Sequence, residues 1–400
     1  FKECEKFAPN LKVSIYHGMN REFPESSEVI ITTYSIVRND IKFLKEKRFS
    51  MVVIDEAQNI KNPDAQQTKA VKSLNASRKI AMTGTPIENR LIELWSIYDF
   101  LMPEYLGKKK SFVTLFANPI EKNGDTKAVE RLQNMINPFL IRRVKTDKNI
   151  IKDLPEKFTY NEYIYLKPSQ IALYKEVVEN IEEELEAMQE NGIKRKGLIF
   201  KLLTSLKQIC NHPVNYTKKG IPNALDSGKT EKLMDLMQNI IEKNEKAVLF
   251  TQYKEMGDIL SEIISKELKI EPLFFHGQLN RKKRDELVNN FQNKHRYPIM
   301  ILSLKAGGTG LNLTAANHVI HYDLWWNPAV ENQATDRTFR IGQTKDVIVH
   351  RFISLNTFEE KINEMLEKKK ELTENIITSG ENWITELSNK EIKDLFKFES

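Results

Sequence analysis

Met51-Val52-Val53-Ile54-Asp55-Glu56-Ala57-Gln58 carries more structural information than any other stretch of this chain. Its first four residues are apolar without alternation, which suits a strand covered on both faces, because a half-exposed strand alternates apolar with polar. Two carboxylates follow at the carboxyl end of that strand, the position where open α/β sheets bind their ligands. The same two acids also suit a helix N-terminus, whose dipole favours negative charge. In a nucleotide hydrolase the first acid, Asp55, holds Mg²⁺ through water, and the second, Glu56, orients or deprotonates the attacking water.

Outward from this stretch, further short apolar runs read as strands: Val29 to Thr32 and Lys79 to Met82 early, then Ala247 to Phe250, Leu273 to Phe275, Ile299 to Leu302 and Val319 to His321. Helical patterns lie between them, for example Asp64 to Leu74, Thr230 to Lys243, Lys254 to Lys266 and Lys282 to Gln292. Strand and helix in alternation predict two α/β units with parallel sheets. Between about Glu93 and Gly220 strand signals are few and charged helical patterns are long, notably Pro168 to Asn191 and Lys201 to Asn211, so a helical insertion is expected there. A charged helical brace is expected from about Phe358.

Composition excludes several classes. The chain has 400 residues, 40% of them hydrophobic, enough for two or three cored domains and too many for a disordered or collagen-like chain. Lys and Arg number 61 against 55 Asp and Glu, a net charge of +6 that only local clusters could turn into a nucleic-acid surface. Such clusters occur at Lys108 to Lys110, Arg142-Arg143, Lys194-Arg195-Lys196 and Arg281 to Arg284. Cys4 and Cys210 lie far apart outside any C-x-x-C pair, which fits a reducing compartment and no zinc site. No apolar run approaches the roughly 20 residues that a membrane span needs. The chain opens on Phe1 with neither Met nor a signal segment, and is expected to be a piece of something longer.

Three further segments carry candidate chemistry. Thr83-Gly84-Thr85-Pro86 follows the strand Lys79 to Met82 and makes a hydroxyl-bearing turn suited to sensing a nearby γ-phosphate. Gly307, Gly308 and Gly310 sit just after a strand, where glycines let backbone N–H groups approach phosphate oxygens. Gln333, Arg337 and Arg340 are spaced to share one helical face, and paired guanidiniums stabilise charge on a transferring phosphoryl group. Ser227-Gly228-Lys229-Thr230 ends like a P-loop, but G-x-x-x-x-G-K-[ST] needs Gly where Asn223 stands, and no strand precedes it. It reads as a loop and a helix start. No other Walker A candidate occurs in the 400 residues.

Taken in order, Asp55-Glu56-Ala57-Gln58, Thr83 to Asn89, Gly307 to Leu313 and Gln333 to Gln343 resemble the Swi/Snf-type ATPases of helicase superfamily two. The connecting segments Gln208-Ile209-Cys210-Asn211-His212-Pro213 and Asp323-Leu324-Trp325-Trp326-Asn327-Pro328 agree with it. The resemblance implies an α/β fold of two RecA-like parallel-sheet lobes, the first incomplete. Its implied divisions are a partial first lobe over 1–100, helical protrusions over 101–222, a second lobe over 223–356 and a brace over 357–400. It implies ATP and Mg²⁺ as cofactors and double-stranded DNA as partner, with no membrane, in nucleoid-associated cytoplasm or a nucleus. Asp55, Glu56, Arg337 and Arg340 are then catalytic, with Asp55 serving the metal through water. Gln333, Gly308, Gly310 and Asp336 bind ATP; Gln58, Thr83, Gly84 and Thr85 couple hydrolysis to DNA; Thr32, Thr33, Thr251, Gln252, Lys305 and Thr309 meet the DNA backbone. Many relatives carry His where Gln58 stands. The family's Gly-Lys-Thr loop is expected upstream of Phe1, on the same gene product or on a separate polypeptide that supplies it, so these 400 residues alone are expected to hydrolyse little ATP. The competing expectation is a non-hydrolysing clamp that holds DNA or a partner.

Overall fold

The computed structural model describes residues 1–84, 90–143, 154–186, 193–303, 310–325, 327–372, 384 and 387–399. The chain divides into two compact units, one over Phe1–Ile141 and the other from Arg142 onward.

In the first unit, β1 (Val13–Ile15) pairs in parallel with β2 (Val29–Ile31), and β3 (Arg48–Ile54) with β4 (Asn75–Ala81). Val52 and Ile54 of β3 face a core built with Ala57, Ile60, Val71, Leu74, Ile97 and Phe100. The opposite row is uncovered: Met51 is 44% exposed and Val53 49%, with Ile80 of β4 standing opposite Val53. The unalternated sequence of β3 anticipates cover on both faces, and this unit supplies it on one. A helical cluster of Leu91, Leu94, Trp95, Phe112, Phe116 and Leu132 forms the rest of the unit's apolar interior.

The second unit is organised by a six-stranded, wholly parallel sheet. Its strands are β5 (Lys157–Ile164), β6 (Ala247–Thr251), β7 (Leu273–Phe275), β8 (Ile299–Ser303), β9 (His318–His321) and β10 (Val347–Ser354), in the order β5-β10-β9-β6-β8-β7. Alternate residues point to opposite faces. Leu249, Ile299, Ile301, Ile320 and Phe352 pack under the helices Gly228–Glu242 and Lys254–Leu268. Val248, Phe250, Met300, Leu302 and Val319 pack on the other side against Leu287 and Phe291 of the helix Arg281–Asn293. A separate cluster joins the helices Pro168–Glu186 and Ile193–Asn211 to Phe358, Ile362 and Phe396.

Edge strand β5 lies inside the stretch read as helical. Lys157, Phe158, Thr159 and Tyr160 are all exposed, so the segment lacks the apolar run that marks the central strands. Its place comes from pairing with β10 along its whole length.

Candidate functional site

β3 delivers the acidic pair. Main-chain hydrogen bonds from Met82 N to Ile54 O and from Ala57 N to Met82 O tie the end of β3 to the segment after β4, and so bring Gln58 beside Thr83. Between these bonds the chain turns sharply, with Glu56 in the left-handed region at φ +50. That conformation costs a residue bearing Cβ roughly 1–2 kcal/mol. Strain of this kind collects where the surrounding structure imposes it for a purpose.

Two hydrogen bonds hold the strained peptide. Asp55 Oδ1 accepts from Glu56 N at 2.8 Å, and Tyr34 OH donates to the Asp55 carbonyl at 2.6 Å. From the Glu56 side chain a relay leads away: Gln58 Nε2 donates to Glu56 Oε2 at 2.7 Å, and Thr83 Oγ1 donates to Gln58 Oε1 at 2.8 Å. The amide is both donor and acceptor, so one residue joins a carboxylate to a hydroxyl. Asp55 is exposed, and its Oδ2 receives no hydrogen bond among the described residues. A solvent-facing carboxylate oxygen is the hard donor that Mg²⁺ takes through water. No group of three His, Cys, Asp or Glu among the described residues could hold a metal by itself, so an ion here would take its remaining ligands from water and a bound phosphate.

The other residues singled out in the first unit stand nearby in the chain. Thr32 is exposed and its Oγ1 donates to Tyr16 O at 2.8 Å. Thr33 caps the helix Tyr34–Asn39, its Oγ1 accepting from Ile36 N. Gly84 is exposed, with nothing within 4 Å of the place a Cβ would take. Thr85 lies outside the described residues.

In the second unit the helix bearing Gln333 spans Pro328–Thr335 and stops there. Arg337 and Arg340 follow in turns, which corrects the expectation of one continuous helical face. The reason is local: Thr335 Oγ1 is paired with the buried His321 Nε2 at 2.9 Å, and the chain then folds back so that Arg337 O accepts from Leu313 N at 2.9 Å. Arg337 is 8% exposed, whereas Arg340 is exposed with Nη1 3.4 Å from the carbonyls of Gly310 and Leu311. The fold thus gathers Arg340 and Gly310, thirty positions apart, by turns and not by helical spacing. Asp336 N donates to Asn332 O at 2.8 Å, finishing the helix. Lys305, Gly308 and Thr309 lie outside the described residues.

Thr251 and Gln252 are turned inward. Thr251 Oγ1 donates to Asp323 Oδ2 and Gln252 N to Asp323 Oδ1, both at 2.8 Å, and Asn211 Nδ2 adds a third bond to the same carboxylate. Burial pushes the Asp323 carboxyl up, and those donors pull part of the way back. Asp323 and Tyr34 were not anticipated as site residues. Each acts across a sequence gap, 72 positions from Thr251 and 21 from Asp55, that no local pattern spans.

The P-loop look-alike is structural. A Cβ on Gly228 would stand 2.1 Å from Tyr165 O, Lys229 is buried against Glu359 at 2.8 Å, and Thr230 Oγ1 donates to Ala224 O. Arg195, from one of the basic clusters, is likewise internal, bonded to Leu387 O and Asn389 Oδ1.

Comparison with known proteins divides the chain later than the two compact units do, between residues 215 and 228. The profile of the SNF2-related domain matches residues 1–215, and that of the helicase conserved C-terminal domain matches residues 228–342. A Bacillus subtilis protein described provisionally as the ATP-dependent helicase/translocase YwqA is 46% identical over 404 residues, covering 99% of this chain and 43% of that protein. A Mycoplasma pneumoniae protein named as an uncharacterized ATP-dependent helicase is 39% identical over 99% of this chain and 38% of its own length. The chain therefore spans about two fifths of these relatives. Among solved structures, the Sulfolobus solfataricus SWI2/SNF2 ATPase core in complex with dsDNA aligns over 100% of this chain and 84% of its own, at 44% identity and a TM-score of 0.56.

Proposed function

The chain belongs to the family of SNF2-related ATPases that carry a helicase C-terminal domain, and on that premise we propose that it serves as the motor core of a DNA-dependent ATPase that translocates on double-stranded DNA. The observation that carries the proposal is the relay from Glu56 through Gln58 to Thr83. In this reading Asp55 would hold Mg²⁺ through water, and Glu56 would orient the attacking water beside a bound triphosphate. Any shift of Glu56 would be felt at Thr83 through two hydrogen bonds. Gln58 transmits this without titrating, because an amide has no proton to gain or lose near neutral pH. A histidine would add a pH dependence there.

Arg337, Arg340, Gln333, Asp336, Gly308 and Gly310 are assigned to the triphosphate. Thr32, Thr33, Lys305 and Thr309 are assigned to the DNA backbone. For Thr251 and Gln252 a supporting role fits the bonding better: they and Asp323 form a buried brace under the strand ends. The Walker A lysine and its loop are assigned to a segment other than these 400 residues, on the same polypeptide or a separate one.

The test is ATP turnover by the full natural chain, with and without duplex DNA. Turnover stimulated by duplex and absent in Glu56→Gln is the expected result. Duplex binding with no turnover in any nucleotide condition would favour the clamp reading.

A further inference from the structure

The Asp55–Glu56 peptide is held at both ends, its N–H by Asp55 Oδ1 and its carbonyl by Tyr34 OH. Rotating that peptide plane by half a turn would reverse the sign of φ at Glu56 and take it out of the left-handed region. The rotation would also turn the Glu56 N–H away from Asp55 Oδ1 and the Asp55 carbonyl away from Tyr34 OH, loosening the backbone that carries the Glu56 side chain to Gln58. Strain at φ +50 would favour such a flip, and the two hydrogen bonds oppose it. The bond from Asp55 Oδ1 is made by an exposed carboxylate that the metal's water shell also needs. The bond from Tyr34 has no competing task.

We propose that Tyr34 is a positioning residue for ATP hydrolysis: its phenol latches the Asp55–Glu56 peptide in the strained orientation that aims the Glu56 carboxylate. The inference rests on the reading of Asp55 and Glu56 given above. Two features fit the latch. The ring is half-buried against the core of the first unit, so the hydroxyl is fixed in place. Tyr34 opens the helix that Thr33 caps, so the backbone that carries the ring is itself anchored.

Tyr34→Phe keeps the ring and removes the donor. In the full natural chain with saturating duplex DNA, kcat should fall roughly five- to tenfold, the range a lost hydrogen bond produces. KM for MgATP, duplex affinity and the thermal midpoint should stay unchanged. Amide exchange reads the latch without any need for turnover: in the full natural chain the Glu56 amide should exchange several-fold faster in Tyr34→Phe, with the Val52 and Val53 amides unmoved. An unchanged Glu56 exchange rate overturns the proposal whatever the turnover does. A joint loss of kcat, ATP affinity and thermal stability overturns it too, because that marks plain structural damage. Glu56→Gln separates the two levels. If it still turns over ATP, the acid assignment itself fails; if it is dead while Tyr34→Phe matches wild type in rate and exchange, only the latch fails.

Discussion

At the scale of single residues, the site is a set of short hydrogen bonds around one uncomfortable backbone angle. Glu56→Gln keeps the shape and removes the charge, so hydrolysis should be lost while ATP binding persists, as single-turnover and nucleotide-binding measurements on the full natural chain would show. Gln58→Ala cuts the relay between Glu56 and Thr83 without touching either. Its expected effect is a duplex-stimulated rate reduced several-fold with the basal rate nearly kept. Equal losses in both rates would mean that Gln58 holds the acid and transmits nothing. The acids, the glutamine and the threonine were all legible in the sequence because they cluster in two short motifs. Tyr34 was not, since its role depends on helix Tyr34–Asn39 meeting the end of β3.

At the scale of elements, the helix Gly228–Glu242 shows how a motif fragment can be wholly structural. Lys229 is buried with Glu359, so Lys229→Ala strands a carboxylate in the interior, a change that costs about 3–5 kcal/mol. Chemical denaturation should register that loss, and ATP affinity should not move. Gly228→Ala places a methyl group 2.1 Å from Tyr165 O, so helix and strand end must part, and the second unit should lose stability or fail to fold. Strand β9 brings a pH dependence. His321 is fully enclosed and stacked on Phe250, and burial pulls its imidazole from 6.5 to about 3. The unfolded chain takes up a proton near 6.5 that the folded chain refuses, so the stability associated with neutral His321 is complete above that pH and is lost as the pH falls towards 3. Burial lowers His212, His318 and His350 in the same direction. The thermal midpoint of the second unit should drop on acidification below 6.5, with a shallower slope in His321→Phe. A flat profile between neutral and mildly acid pH would contradict the enclosed, neutral imidazoles.

At the scale of the whole molecule, the proposal makes duplex affinity an electrostatic quantity. Binding should weaken steeply as salt rises, because phosphate contacts release counterions, and a flat salt response would point to a protein partner. No helix among the described residues is long and apolar enough to cross a membrane. The central strands of the six-stranded sheet and the position of the acidic pair at a strand end were readable in advance, since a buried parallel strand has to be apolar at every position and the two acids directly follow an apolar run. The sequence alone therefore determined the fold class and the family, and it named the candidate residues. Tertiary structure alone decided which of them touch. Edge strand β5 has its place only through β10, Arg340 reaches Gly310 through turns that helical periodicity does not describe, and Thr251 and Gln252 turn inward because Asp323 needs its buried charge satisfied. Local periodicity records which face of an element is covered. Pairings between distant segments are set by the packing of the whole chain, where a buried polar group takes whatever partner the fold brings to it.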